Sequence, residues 1–228
     1  MAQRQLVSYS FYKVDPAWRS RPVEQRQADI AAIVAAAGEF ADDMLVRTYS
    51  TVGTRGDVDF MIWRATEDLG VLHASAAAIN QTSLAPYLTM PHHFLAMTRR
   101  SIYVTRHVHT DQEGTRTRLR PAGAPYLIVY PFVKTRPWYM LSKEERQEMM
   151  DEHIAVGHKY PSVKINTTYS FGFDDQDFVV AFETDSVSDF LDLVMELRET
   201  RASLYTVRDT PALTCIAKDL GAALDAIG

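Results

Sequence analysis

The stretch Trp138-Tyr-Met-Leu-Ser-Lys-Glu-Glu-Arg-Gln147 decides how this chain is built, because it has a counterpart in Trp18-Arg-Ser-Arg-Pro-Val-Glu-Gln-Arg-Gln27. Trp18, Glu24, Arg26 and Gln27 match Trp138, Glu144, Arg146 and Gln147, each pair 120 residues apart. Tyr49-Ser50 recurs as Tyr169-Ser170 at the same spacing. Asp57-Val-Asp-Phe60 recurs as Asp175-Gln-Asp-Phe178 at a spacing of 118, and Thr66 matches Thr184 at that shifted spacing. A two-residue difference in one turn accounts for the shift. A single match is chance, but a collinear series is an internal repeat, and it sets the domain count.

Working outward, each half reads β-α-β-β-α-β, the ferredoxin-like unit. Gln5–Val14 alternates and is rich in aromatics and valine, so a strand is expected there. Pro22–Ala37 has helical spacing. Met44–Thr51 and Val58–Trp63 read as strands around a Gly53/Gly56 turn, Glu67–Asn80 as a helix, and Phe94–Val104 as a strand. In the second half Tyr126–Val133 is a strand. Ser142-Lys-Glu-Glu145 is a capping box opening a helix to about Tyr160. Val163–Phe171 and Phe178–Glu183 are strands, Val187–Glu199 is a helix, and Tyr205–Ile216 contains the last strand. The fold class is therefore α+β: duplicated ferredoxin-like units in one chain, of the dimeric α+β barrel type. Residues 1–106 form the N-terminal unit, 107–124 a polar linker or loop, and 125–228 the C-terminal unit. A layer between sheet and helices offers room for a large flat ligand.

Composition narrows the function. The chain has 228 residues, 46% hydrophobic and 23% charged, as a soluble globular protein has. Its net charge of −5, with both signs interspersed, argues against a nucleic-acid partner. The one cysteine, Cys215, excludes an intramolecular disulfide and a cysteine-built zinc site. Cys215 lies in a strand-like run and reads as buried and inert. No apolar run approaches the ~20 residues a bilayer needs, and the N-terminus lacks the core of a signal peptide. A cytoplasmic, reduced protein with no membrane partner is the expectation. No GxGxxG, P-loop or GxSxG motif is present.

Several residues can carry chemistry. His153 has Met149, Met150, Val156 and Gly157 at helical spacing, so it sits on the apolar stripe of its helix. Gly157 lets something large approach. The residues alone leave two readings of His153: a hydrogen-bonded core histidine, or the single axial ligand of a haem iron. His158 lies about 140° further round and reads as solvated. His92-His93 and the His107/His109 pair fall at strand or loop edges. Arg116, Arg118 and Arg120 alternate, so an extended backbone points three guanidinium groups one way; they form either a carboxylate clamp or a solvated basic loop. Lys134 and Arg136 follow the next strand. Tyr130 reads as a packed strand-end residue or as a redox-active phenol.

The run from Tyr130-Pro-Phe-Val-Lys134 through Trp138-Tyr and Glu144-Glu-Arg to His153 resembles the haem-binding segment of the chlorite dismutase family. Ser170-Phe-Gly-Phe-Asp-Asp-Gln-Asp-Phe178, Phe11-Tyr-Lys13 and Met97-Thr-Arg-Arg-Ser101 are also similar, so the likeness spans nearly the whole chain. It implies a duplicated ferredoxin-like barrel with haem in the C-terminal half and His153 as proximal iron ligand. It also implies Trp138 near the haem edge and Ile165 at the distal position.

Within the family, chlorite dismutases carry a distal arginine and a glutamate supporting the proximal histidine. Ile165 and Ala202 stand at those places. Tyr130 and Lys134 instead match the coproheme decarboxylase branch, and Leu197-Arg-Glu-Thr-Arg-Ala202 is similar to it. That resemblance implies the following chemistry. Hydrogen peroxide oxidises the iron of coproheme. Tyr130 becomes a radical and takes hydrogen from a propionate. Carbon dioxide leaves and a vinyl group remains. Lys134 and Arg118 hold propionates. Ile165 stands where decarboxylases have glutamine or histidine. Chlorite dismutase or weak haem peroxidase activity, and a non-enzymatic haem-binding role, are the alternatives. The family forms homo-oligomers, and the chain length resembles the pentamer-forming type.

Overall fold

The computed structural model describes residues 4–103 and 118–228. The chain divides into two compact units, Met1–Met97 with Leu213–Gly228, and Thr98–Ala212. His107, His109, Arg116 and most of the expected linker lie outside the described residues. No helix among the described residues is long and apolar enough to cross a membrane.

The first unit runs β1 (Leu6–Val14), α1 (Val23–Gly38), β2 (Leu45–Ser50), β3 (Phe60–Thr66), α2 (Leu69–Asn80) and β4 (Leu88–Met97). β1 pairs with β3 and β4, and β2 with β3, all antiparallel, giving the order β4-β1-β3-β2. The second unit runs β5 (Tyr126–Lys134), α3 (Arg136–Met140), α4 (Lys143–Gly157), β6 (Val163–Tyr169), β7 (Phe178–Thr184), α5 (Val187–Glu199) and β8 (Thr206–Arg208). Its pairings give the equivalent order β8-β5-β7-β6. The fold is α+β, a duplicated ferredoxin-like unit.

The repeat is carried by contacts that recur. In the first unit the Val14 amide donates to Asp59 Oδ2 at 2.8 Å, and the Asp59 amide to the Tyr12 carbonyl at 2.8 Å. In the second unit the Lys134 amide donates to Asp177 Oδ2 at 2.9 Å, and the Asp177 amide to the Phe132 carbonyl at 3.2 Å. Trp18 and Trp138 are both buried just after their strands.

Three expectations shift. β4 runs over Leu88–Met97 rather than from Phe94 toward Val104 (Val104 lies outside the described residues), and β3 continues past Trp63 to Thr66. The single last strand expected over Tyr205–Ile216 is two strands separated by Asp209-Thr210-Pro211-Ala212. β8 pairs with β5, whereas β9 (Leu213–Ala217) pairs with β2. α6 (Leu220–Asp225) follows β9, and the first unit therefore includes Leu213–Gly228.

This C-terminal addition explains an asymmetry. In the first unit the layer between sheet and helices holds fourteen buried apolar residues, four of them from the α6 region: Leu220, Ala223, Leu224 and Ile227. In the second unit the corresponding cluster of described residues has three buried members, Val180, Phe182 and Leu193, with Trp138 buried apart from it. Tyr130, Phe132, Val156, Tyr160, Val163, Phe190 and Leu197 pack there but stay partly exposed. Fully burying one such side chain is worth about 1.5–3 kcal/mol, so this layer leaves much apolar stabilisation unused.

Candidate functional site

The underfilled layer of the second unit contains most of the candidate residues. Strand alternation puts Tyr130, Phe132 and Lys134 of β5 on one face. Tyr130 and Phe132 pack there with Val156 of α4 and Phe190 and Leu197 of α5. Tyr130 stacks on Phe182 with ring centroids 5.7 Å apart. Burial, helped by the Asp209 carboxylate, pushes its phenol above the usual range, while Arg198 pulls the other way. Arg198 and Asp209 pair with each other at 2.8 Å.

β5 does not end at Tyr130 but continues to Lys134, where its register with β8 shifts. Such a bulge re-aims a side chain. The Lys134 ammonium donates to the Ala202 carbonyl at 2.6 Å and lies 5.2 Å from the Phe132 ring centre. Burial lowers its pKa to about 8. Below it Trp138 is 2% exposed and touches the rings of Tyr103 and Tyr205.

His153 lies on α4, which starts in the expected Ser142/Glu145 capping box. Its ring is half-buried. Desolvation first, and the Lys134 ammonium second, lower its pKa to about 4, with Glu152 opposing. The imidazole is thus neutral at pH 7, the form that ligates metals. One turn on, a Cβ added at Gly157 would meet nothing within 4 Å. Only Gln147 of α4 is fully buried, so the apolar stripe around His153 is incompletely covered.

Ile165 of β6 is 37% exposed and pairs with Phe182 of β7, a residue of the same layer. Arg118 is exposed, ahead of β5. The approach to β5 is pinned instead by buried Glu183, which accepts the Ala122 and Gly123 amides at 2.8 and 2.9 Å and Asn166 Nδ2 at 2.9 Å. His158 is exposed, and Cys215 is buried with its thiol pKa raised by desolvation.

The repeat shows where the two units diverge. At the 120-residue spacing, Ser10, Val14, Ile33 and Ala37 correspond to Tyr130, Lys134, His153 and Gly157. Val14 and Ile33 are fully buried in a filled layer. Where the first unit has a serine, a valine, an isoleucine and an alanine, the second has a phenol, an ammonium, an imidazole and a glycine.

The sequence reading missed several partners. Asp177 orders the Lys134 backbone and accepts the Tyr139 hydroxyl at 2.7 Å. Its signal in the sequence is the repeated Asp-x-Asp-Phe, whose second aspartate is Asp59 in one unit and Asp177 in the other. Arg201 holds Glu152 at 3.1 Å, tying the Ala202 turn to the helix of His153. The Arg198–Asp209 pair beside Tyr130 spans a turn whose closure the sequence does not announce.

The family model for chlorite dismutase matches residues 24–218. The chain belongs to the chlorite dismutase family. Members of this family, coproheme decarboxylases among them, are haem-binding proteins with iron. The coproheme decarboxylase of Mycolicibacterium smegmatis is 30% identical over 167 residues, covering 73% of this chain and 70% of that protein. A mutant chlorite dismutase from Candidatus Nitrospira defluvii has a TM-score of 0.87 at 25% identity, covering 97% of this chain and 94% of that one. The chlorite dismutase of the same organism in complex with imidazole gives the same values. These chlorite dismutases share the fold over almost the full length.

Proposed function

We propose that this chain is a peroxide-dependent coproheme decarboxylase that converts coproheme to haem b. The observation that carries this reading is the set Tyr130, Lys134 and His153 in the underfilled layer, where the first unit has Ser10, Val14 and Ile33. The 30% identity to a coproheme decarboxylase supports it.

The residues fit the group. A half-buried neutral imidazole suits a single iron ligand. The incompletely covered apolar stripe of α4 and the open side of Gly157 suit a porphyrin face. Lys134, in place of buried Val14, suits a propionate. His153 would hold the iron, Lys134 and Arg118 propionates, and Trp138 would floor the Lys134 ammonium. When bound, the haem supplies the two-electron oxidant that peroxide generates.

The atoms and electrons balance. Each propionate loses carbon dioxide, one proton and two electrons as it becomes a vinyl group. Peroxide takes up two electrons and two protons and leaves as two waters. Tyr130 carries its phenolic proton at neutral pH, as an ordinary phenol does, and burial disfavours the phenolate further. It can release one electron and that proton together, and recover both as a hydrogen atom from the propionate. Ile165 offers no hydrogen bond on its side of the layer. The test is to mix the protein with iron coproporphyrin III and hydrogen peroxide and weigh the porphyrin. Haem b as product supports the proposal; coproheme bound but unchanged overturns it.

Chlorite dismutase activity is the second reading, favoured by the structural neighbours at TM-score 0.87. Rapid dioxygen release on adding chlorite would establish it. We further propose a cytoplasmic homo-oligomer, with a pentamer preferred. Val187, Leu191 and Met195 form an exposed apolar row at i, i+4 and i+8 on α5, each at least 50% exposed, which another copy can cover.

A further inference from the structure

Arg64 of β3 is 1% exposed, on the same strand face as Phe60 and Ile62. Its Nη1 donates to Ser10 Oγ at 3.3 Å. Its Nε and Nη2 have no hydrogen-bond partner, and no ion pair among the described residues involves Arg64. A buried charge without a counter-charge is strongly disfavoured, so something else satisfies this one.

The unpaired atoms identify the missing partner. Nε–H and Nη2–H form the edge of a guanidinium whose two N–H bonds run parallel. This is the edge that carboxylates and related oxyanions engage bidentately. Ser75 adds a second observation. It lies on the buried face of α2, the helix that packs on β3, and its 0% exposed hydroxyl is also without a partner. A polar track connects this place to the surface. Exposed His93 Nε2 lies 3.1 Å from Ser8 Oγ, and Ser8 Oγ lies 3.2 Å from Ser10 Oγ. At the 118-residue spacing Arg64 corresponds to Phe182, an apolar layer residue, so the fold itself asks for no cation here.

We propose that the first unit binds a small planar oxyanion, of the carboxylate, bicarbonate or nitrate type, on the Nε/Nη2 edge of Arg64. The site is separate from the proposed haem layer and does not depend on that reading. A monatomic halide engages one point and gains less from the parallel edge.

The test is a thermal-unfolding titration of the full chain at constant ionic strength, with formate, bicarbonate, nitrate and chloride as separate arms. A saturable rise in Tm with the planar anions, larger than with chloride, is expected. Whichever of formate and bicarbonate acts at lower concentration identifies the class of natural ligand. Arg64→Lys keeps the charge but loses the parallel edge, and shifts the midpoint upward by at least about tenfold. No saturable rise in the wild type, or an unchanged midpoint in Arg64→Lys, overturns the proposal. If Arg64→Lys does not fold, a crystal structure of the wild type grown in formate decides. Planar density against Nε and Nη2 supports the site; two separate waters there overturn it.

Discussion

The Lys134 ammonium lies 4.6 Å from the centre of the Trp138 ring. In the first unit the equivalent pair is Val14 and Trp18, both fully buried in one apolar cluster. The second unit therefore holds a cation over an aromatic face where its twin holds a methyl-bearing side chain. A cation–π contact and one carbonyl hydrogen bond offset only part of the cost of that burial. This is why the Lys134 pKa falls to about 8. An anionic group brought within reach restores the charge balance.

Lys134→Met should therefore weaken coproheme binding by about tenfold or more while leaving the fold intact, since a methionine fills the same volume. The wild-type affinity should fall as salt rises, and the variant's should fall less. Spectroscopic titration at two ionic strengths measures both.

His153 sets the pH response of the ligand-free protein. An imidazole titrates near 6.5 in the unfolded chain and near 4 in the fold. Above pH 6.5 both forms are neutral and the group contributes no slope. Between about 6.5 and 4 the unfolded chain takes up the proton and the folded chain does not, so stability falls as pH falls. The loss is at most about 3 kcal/mol, less because the ring keeps solvent contact. His153→Ile, which copies Ile33, should flatten this part of the curve in denaturant unfolding followed across pH. It should also abolish the Soret band on adding coproheme.

Ile165 gives a gain-of-function prediction. It is an exposed apolar residue beside Phe182 with no hydrogen bond to offer. Ile165→Gln should speed peroxide-driven turnover of bound coproheme by at least about threefold, since one directed hydrogen bond is worth ~1 kcal/mol. Stopped-flow absorbance at fixed peroxide measures it, and an equal or slower rate contradicts the distal placement.

The duplication was legible because Trp18 and Trp138 perform the same structural task at a fixed spacing, as do Asp59 and Asp177. Fold class followed from it, and helical spacing located α1, α2, α4 and α5, whereas the short helices α3 and α6 carry no such pattern. Strand ends were less legible. Reading β3 as finished at Trp63 stopped short of Arg64, a charged residue that is nonetheless buried. Pro91 and the His92-His93 pair interrupt the alternation of Leu88–His93 and concealed the start of β4. Asp209-Thr210-Pro211 breaks the last strand in two, and the pairing of β9 with β2 is a long-range choice no local pattern records. At the site, the His153 stripe was visible as helical spacing. The openness around it was not, because it depends on the second unit's cluster having no counterpart of the α6 residues that fill the first.

In the proposed reaction Tyr130 is the residue that moves an electron and a proton. Its measurement is the porphyrin mass after hydrogen peroxide is added to coproheme-loaded wild type and to Tyr130→Phe. The wild type should yield haem b. The variant should bind coproheme equally well and yield product at least about 100-fold more slowly. Haem b formed by Tyr130→Phe at the wild-type rate would show that Tyr130 does not carry the electron and proton.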